Sequence, residues 1–288
     1  MTVIELIERS SARLDQAGVS FGQGTTNAFD EAAWLVLWKL GRPLDDLDGA
    51  ADLEVTAEQQ RQVDALVDER IARRRPAAYL TGEAWLQGVP FFVDDRSIVP
   101  RSLIAEVLAD GVLDVWLDEE PQRVLDLCTG NGSLAVLAAM AWPDAVIDAA
   151  DISADALAVA RRNVERHGLA GRIALVESDG FAALPGRYDV ILCNPPYVNS
   201  ASMAALPAEF RAEPALALAG GTDGMDFVRR VIAGASAHLD DAGFLVLEIG
   251  HERAHFEAAF PQLEVVWLPT RGHDDAVLLV TRDALEPA

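Results

Sequence analysis

The stretch Tyr188-Asp-Val-Ile-Leu-Cys-Asn-Pro-Pro-Tyr197 decides the fold. Val190, Ile191 and Leu192 form an apolar run of strand length, which stops abruptly at a polar Asn and two prolines. Proline lacks a donor and restricts the residue before it, so the chain must leave the sheet at Asn194 in a stiff, extended form. A rigid polar tip at the carboxyl end of a strand is where open α/β sheets place ligands. Asn194 offers a side-chain carbonyl, Pro195 a backbone carbonyl and Tyr197 an aromatic wall, while Pro196 stiffens the turn between them. Two acceptors beside a flat ring suit a planar group carrying an NH2. The same letters also fit a Pro-rich loop with no ligand, so the surrounding strands must decide.

Around that stretch, strands and helices alternate from Gln122 onward. Strands are expected over 123–128, 145–151, 172–177, 243–249, 263–268 and 276–281, and helices over 131–140, 154–167, 223–238 and from His251. Residues 201–221, with Pro207, Pro214 and Gly220-Gly221, read as an irregular insertion. The last two strands have no helix between them and should pair antiparallel. The alternation predicts a doubly wound parallel sheet with one antiparallel strand near its edge.

The first part of the chain reads as helices. Thr2 with Glu5, and Thr56 with Gln59, are capping boxes heading apolar stripes at Val3, Ile4, Ile7 and Leu14 and at Val63, Leu66, Val67 and Ile71. Phe21-Gly-Gln-Gly-Thr-Thr-Asn27 is a loop leading into a helix that ends near Leu40 at Gly41 and Pro43. Aromatic and β-branched residues then interleave with turn formers over 79–100, the pattern of a β-hairpin. The expected organisation is a helical domain at 1–78, a hairpin linker at 79–100 and an α/β domain at 101–288.

Composition limits the function. There are 46 acidic against 23 basic residues, a formal net charge of −23, and such a surface repels phosphate backbones. Naked nucleic acid is therefore a poor partner and a basic protein a good one. No apolar run is long enough to cross a bilayer, and acids interrupt the apolar N-terminus, so neither a membrane nor a secretory signal is expected and a cytoplasmic protein is. The two cysteines, Cys128 and Cys193, each end an apolar strand and read as reduced thiols.

Asp126-Leu-Cys-Thr-Gly-Asn-Gly132 lies between the first strand of the alternation and its helix. Glycines there let backbone approach a ligand, and the helix N-terminus favours an anion. Asp151 ends the next strand, placed to accept hydrogen bonds from a ribose diol. Asp179 and Phe181 follow the third strand, where an acid and a ring suit an adenine. Each acid alone is more often a cap or turn residue; at three successive strand ends they make a nucleoside site. Gly130-Asn-Gly132-Ser-Leu-Ala135 also fits the dinucleotide pattern G-x-G-x-x-A, which leaves a nicotinamide dehydrogenase open. His251-Glu-Arg-Ala-His255 spells the zinc-peptidase pattern with both imidazoles on one helix face, and His273 is the downstream candidate for a third ligand.

Taken together, the D-x-x-x-G-x-G loop and Asn-Pro-Pro-Tyr resemble a class I S-adenosylmethionine-dependent methyltransferase of the amino-group methylating branch. The order of helical N-domain, hairpin, Pro100-Arg101 and these motifs resembles the HemK family of protein glutamine methyltransferases over nearly the whole chain. Phe21-Gly-Gln-Gly-Thr-Thr-Asn-Ala, Gly82-Glu-Ala-Trp85 and Val99-Pro-Arg-Ser102 are similar to its PrmB branch, which modifies large-subunit ribosomal protein L-three. The resemblance implies a Rossmann-like seven-stranded sheet with one antiparallel strand and S-adenosyl-L-methionine as cofactor. It further implies N5-methylation of a glutamine amide in a protein; if that protein is ribosomal, an enzyme this acidic should meet it before RNA covers it. Asn194, Pro195, Pro196 and Tyr197 would hold the amide; Asp126, Cys128, Thr129, Gly130, Asn131, Gly132, Asp151, Asp179, Phe181 and Asn194 would hold the cofactor, with no metal. A release factor, or an exocyclic amine of adenine or guanine, is the alternative acceptor. In the usual strand order of this fold Cys128 and Cys193 are expected to lie close without bonding.

Overall fold

The computed structural model describes residues 1–184, 186–272 and 274–286. Both capping boxes form: Thr2 and Glu5 start α1 (Val3–Gln16), and Thr56 and Gln59 start α4 (Ala57–Arg73). Between them lie α2 (Ala28–Lys39), capped by Asn27, and the single turn α3 (Leu47–Ala50). Val3, Leu6, Ile7 and Leu14 of α1 meet Ala32, Val36 and Leu37 of α2 and Val63 and Val67 of α4 in one apolar core. Ile4, expected inside, is only half-buried; Leu6 takes its place.

The hairpin is smaller than its sequence suggested. Tyr79 belongs to a short helix, α5 (Ala77–Thr81), so only β1 (Glu83–Leu86) and β2 (Val89–Phe92) pair. Residues 93–99, with Val93, Ile98 and Val99, continue as irregular chain. That segment packs Val93 and Val99 with Trp34, Leu35 and Tyr79 in a second core shared by the N-terminal helices and the linker. After the linker, Asp110-Gly111 separates α6 (Ile104–Ala109) from a 3-10 turn (Val112–Trp116). Gly111 stands at φ 64°, outside the helical region.

The remaining elements are β3 (Arg123–Leu127), α7 (Ser133–Ala141), β4 (Val146–Asp151), α8 (Ala154–Arg166), β5 (Ile173–Glu177) and β6 (Tyr188–Cys193). The insertion contains α9 (Ser200–Ala205), α10 (Ala208–Arg211) and a 3-10 turn (Ala215–Ala217). The chain closes with α11 (Asp226–His238), β7 (Leu239–Glu248), α12 (Arg253–Ala259), β8 (Val266–Leu268), β9 (Val277–Thr281) and α13 (Arg282–Leu285). The seven-stranded sheet runs β5-β4-β3-β6-β7-β9-β8. β9 is antiparallel to both β7 and β8, as the missing crossover helix required.

Side chains alternate across the sheet into two cores. Val124, Val190, Leu192, Phe244 and Val246 face α6 and α7, while Leu125, Ile191, Cys193, Leu245 and Leu247 face α11 and α12. The β3–β6 pairing aligns Leu127 with Cys193, so Cys128 and Cys193 sit together, both as free thiols. Hydrogen bonding to Cys193 and burial push the Cys128 thiol well up. No helix among the described residues is long and apolar enough to cross a membrane.

Candidate active site

Three strand ends build one wall of a cavity of about 770 Å³ at the carboxyl edge of the sheet. After β3 the chain turns sharply: Cys128 at φ 64° and Gly130 at φ 56° are both left-handed. The turn is pinned to the next strand, because the Thr129 N–H donates to the Ala150 carbonyl at 2.9 Å and the Gly130 N–H to Asp151 Oδ2 at 2.9 Å. Asp151 Oδ1 accepts from the Ser153 N–H at the start of α8. Burial raises the Asp151 pKa, opposed by these backbone donors. Cys128, Thr129, Gly130, Asn131, Asp151 and Asp179 all line the cavity.

Three residues read as cofactor ligands take other places. Asp126 is wholly buried beneath the turn and does not line the cavity. Its Oδ2 accepts from Thr129 Oγ1 at 2.5 Å and from the Ala135 N–H at 2.9 Å, while Oδ1 has no partner. Burial pushes its pKa up to about 7. Gly132 stands at φ 80° with Ala160 Cβ 3.1 Å from where its own Cβ would sit, so it permits α7 and α8 to touch. Phe181 stacks on His238 at 4.4 Å and faces the core, and Phe227 of α11 supplies the ring at that end of the cavity. Asp179 is paired with Arg230 at 2.8 Å.

Asn194, Pro195, Pro196 and Tyr197 line the opposite side of the same cavity. Glycines let this segment sit where it does. A Cβ on Gly224 would fall 2.2 Å from the Tyr197 carbonyl oxygen, one on Gly220 2.8 Å from that of Pro196, and one on Gly250 2.6 Å from the Tyr197 ring. The Tyr197 hydroxyl donates to Glu248 Oε1 at 3.2 Å, and burial beside that carboxylate raises the phenol pKa.

The N-terminal helical region and the insertion after β6 complete the cavity. Gly22 and Thr26 of the loop before α2, and Phe210 of α10, contribute to its lining. Phe210 lies 3.0 Å from the position of a Gly22 Cβ, so the loop and the insertion meet there. Buried ion pairs hold the insertion in place. Glu213 takes Arg101 through both oxygens at 2.7 and 2.8 Å and also accepts the Val99 N–H. Glu209 meets Arg70 at 3.2 Å and Arg74 at 3.3 Å, and Arg70 in turn meets Glu31 at 2.8 Å. Sequence reading missed Gly22, Thr26, Phe210, Phe227 and Glu248. Gly22 and Thr26 carried only the signal of a glycine-bearing loop, and a lone ring or a strand-end acid names no partner.

The zinc-peptidase geometry does not form. α12 begins at Arg253, so His251 precedes the helix and shares no helix face with His255, whose Nδ1 lies 2.5 Å from Glu252. His273 lies outside the described residues. The donor set instead fits a nucleoside carrying a polar tail. Carboxylates stand at two adjacent strand ends, apolar Ile152 and Phe227 border them, and Asn131 presents a buried Nδ2 without a partner.

Counted from β3, the strand order 3-2-1-4-5-7-6, with this turn and the Asn194–Tyr197 segment across the cavity from it, defines a class I methyltransferase. Residues 111–221 match the methyltransferase small domain and residues 5–82 the PrmC N-terminal domain. The ribosomal protein uL3 glutamine methyltransferase of Bordetella pertussis is 55% identical over 99% of this chain and 96% of its own length. That of Burkholderia pseudomallei is 52% identical over 97% and 94%. The chain belongs to the family of ribosomal protein uL3 glutamine methyltransferases. Among solved structures, the hMettl16 catalytic domain in complex with the MAT2A 3'UTR hairpin 6 aligns with a TM-score of 0.53 at 15% identity, over 82% of this chain and 85% of that one. A methyltransferase from Pyrococcus furiosus aligns at 0.50 and 18%, over 77% and 98%. At that distance the likeness concerns the fold alone. The dehydrogenase reading of Gly130-Asn-Gly132 falls with the family.

Proposed function

We propose that this protein methylates the side-chain amide nitrogen of a glutamine in ribosomal protein uL3, in the cytoplasm and before uL3 is covered by RNA. The single observation behind this reading is that Asn194–Tyr197 and the Gly130–Asp151 turn open on one cavity. S-adenosylmethionine, when bound, supplies a methyl group made electrophilic by its sulfonium sulfur. Gly130, Asn131 and Asp151 are the residues to hold it, with Asp179, Ile152 and Phe227 at the far end.

An amide nitrogen is a poor nucleophile because its lone pair is delocalised into the carbonyl. Asn194 Oδ1 and the Pro195 carbonyl accept its two N–H bonds and fix its orientation. Those acceptors also oppose the positive charge that develops on nitrogen during transfer. Orientation for in-line attack supplies much of the remaining acceleration. A strong base is not needed early, since a methylated, protonated amide is acidic and releases its proton readily. Tyr197 walls the glutamine stem.

The uL3 assignment rests on relatives that match along nearly their whole length and carry that activity in their names. The acidic surface supports a basic protein partner. Labelled cofactor incubated separately with free uL3, assembled large subunits, release factors and RNA tests it. Label is expected in free uL3 first and slowly or not at all in assembled subunits. Preferential labelling of release factor or RNA would overturn the assignment.

A further inference from the structure

Asp179 is carried on a loop whose backbone is fixed from beneath. The Ser178 N–H donates to the Asp151 carbonyl at 2.9 Å, which ties the loop after β5 to the end of β4. The buried Ser178 hydroxyl donates to the Gly180 carbonyl at 2.7 Å and accepts from the Ala183 N–H at 3.0 Å. The backbones of the two cavity acids, Asp151 and Asp179, are thereby held together. These bonds do not reach the Asp179 carboxylate, whose side chain is 54% exposed. A carboxylate so placed would spread over several rotamers unless a neighbour held it, and that freedom would be lost on binding a ligand.

Arg230 is that neighbour. Its Nη2 donates to Asp179 Oδ1 at 2.8 Å, and its guanidinium carbon lies 5.2 Å from the centroid of the Phe227 ring. Phe227 and Arg230 are three residues apart on α11, so they share a helix face. Both line the cavity, together with Asp179 and Gly180. The loop backbone packs against the pair: the position of a Gly180 Cβ is 3.5 Å from Arg230 Nη2 and 3.9 Å from the Phe227 ring. An ion pair this exposed adds little to stability. Its consequence is geometric: the rigid guanidinium, backed by the ring, holds the carboxylate in one orientation. With Oδ1 taken, Oδ2 is the acceptor left for a ligand in the cavity.

We infer that Arg230 is a positioning residue for the cofactor's base: it holds Asp179 so that the remaining carboxylate oxygen accepts from the exocyclic amino group of adenine. This rests on the cofactor reading under the proposed function, with Asp179 at the adenine end of the cavity. Arg230 acts through Asp179 and not through contact area of its own with the base.

The test is a binding measurement on the full chain, with no methyl acceptor present. Calorimetry compares S-adenosylhomocysteine with its 6-deamino analogue, in which hydrogen replaces the amino group of adenine. Wild-type protein is expected to prefer the amino form about tenfold, the scale of one hydrogen bond to a charged acceptor. Arg230→Met should weaken S-adenosylhomocysteine about fivefold and the analogue less than about twofold, which removes most of the preference. In Asp179→Ala the preference is already gone, and adding Arg230→Met should change neither affinity by more than about twofold. Both residues are half-exposed, so these variants are expected to fold. Equal weakening of both ligands by Arg230→Met would mean that the guanidinium stacks on the base, and would overturn the inference. So would unchanged or tighter binding of S-adenosylhomocysteine in that variant, or the same fivefold loss in the absence of Asp179. Wild-type protein that binds the two ligands equally defeats the adenine placement itself, whereas a preference that survives Arg230→Met defeats only the role given to Arg230.

Discussion

Asn194 and Asp126 show how far single residues depend on their surroundings. Asn194 faces the cavity across from the cofactor turn. Asn194→Ala is expected to lower kcat by about 10²–10³, the range for losing one charge-stabilising polar group. Cofactor affinity, measured by calorimetry, should change little; equal losses in both would remove Asn194 from the acceptor role. Asp126 has the opposite situation, sealed under the turn with one oxygen unpartnered. Its folded pKa of about 7 lies above the ordinary value of 3.8, so the fold favours its protonated form. The stabilising contribution is whole below pH ~4 and is lost as pH rises through ~7, on the order of 4 kcal/mol. Asp126→Asn removes that slope. Urea unfolding of both proteins between about pH 4 and 8 should give curves that converge at the acid end in shape and diverge toward neutrality; parallel curves would contradict the assignment.

At the level of elements, the insertion between β6 and α11 works as a strap tied by ions. Arg70 on α4 is fully buried between Glu31 of α2 and Glu209 of α10, and Arg101, just before α6, is locked by Glu213. Removing one member of a buried network strands its partners, at a cost of about 3–5 kcal/mol. Arg70→Ala, which leaves two buried carboxylates facing each other, should lose about that much stability in denaturant titration. A loss under ~1 kcal/mol would mean that the network relaxes into solvent. Because the strap also carries Phe210 against Gly22, the variant should raise KM for uL3 more than KM for the cofactor.

For the whole molecule, the charge of −23 is proposed to serve the encounter with a basic partner. Long-range attraction between opposite net charges is screened over a Debye length of about 8–10 Å at moderate salt. Raising ionic strength should therefore increase KM for uL3 severalfold while kcat, set inside the cavity, holds steady. A salt-independent KM would show that the acidic surface does not steer the acceptor. On the same reading a surface this acidic repels free RNA, and added RNA is expected not to compete with uL3 at physiological salt.

Local chemistry was enough for much of this. Capping boxes at Thr2 and Thr56, the apolar run stopped by Asn194 and two prolines, and the absence of a helix before the last strand are short-range signals. They determined the helices, the strand ends and the antiparallel pairing. They also picked out Gly130, Asp151 and Asn194, since strand ends in an open α/β sheet converge by topology alone. Tertiary packing decided the rest. Phe181 and Phe227 are both rings near the third and fifth strands, and only the seating of α11 turns one to His238 and the other to the cavity. Glu209, Glu213 and Glu248 look like ordinary acids until long-range folding brings Arg70, Arg101, Ser102 and Tyr197 to them. A buried charge takes its role from partners more than a hundred residues away, and no local pattern encodes that distance.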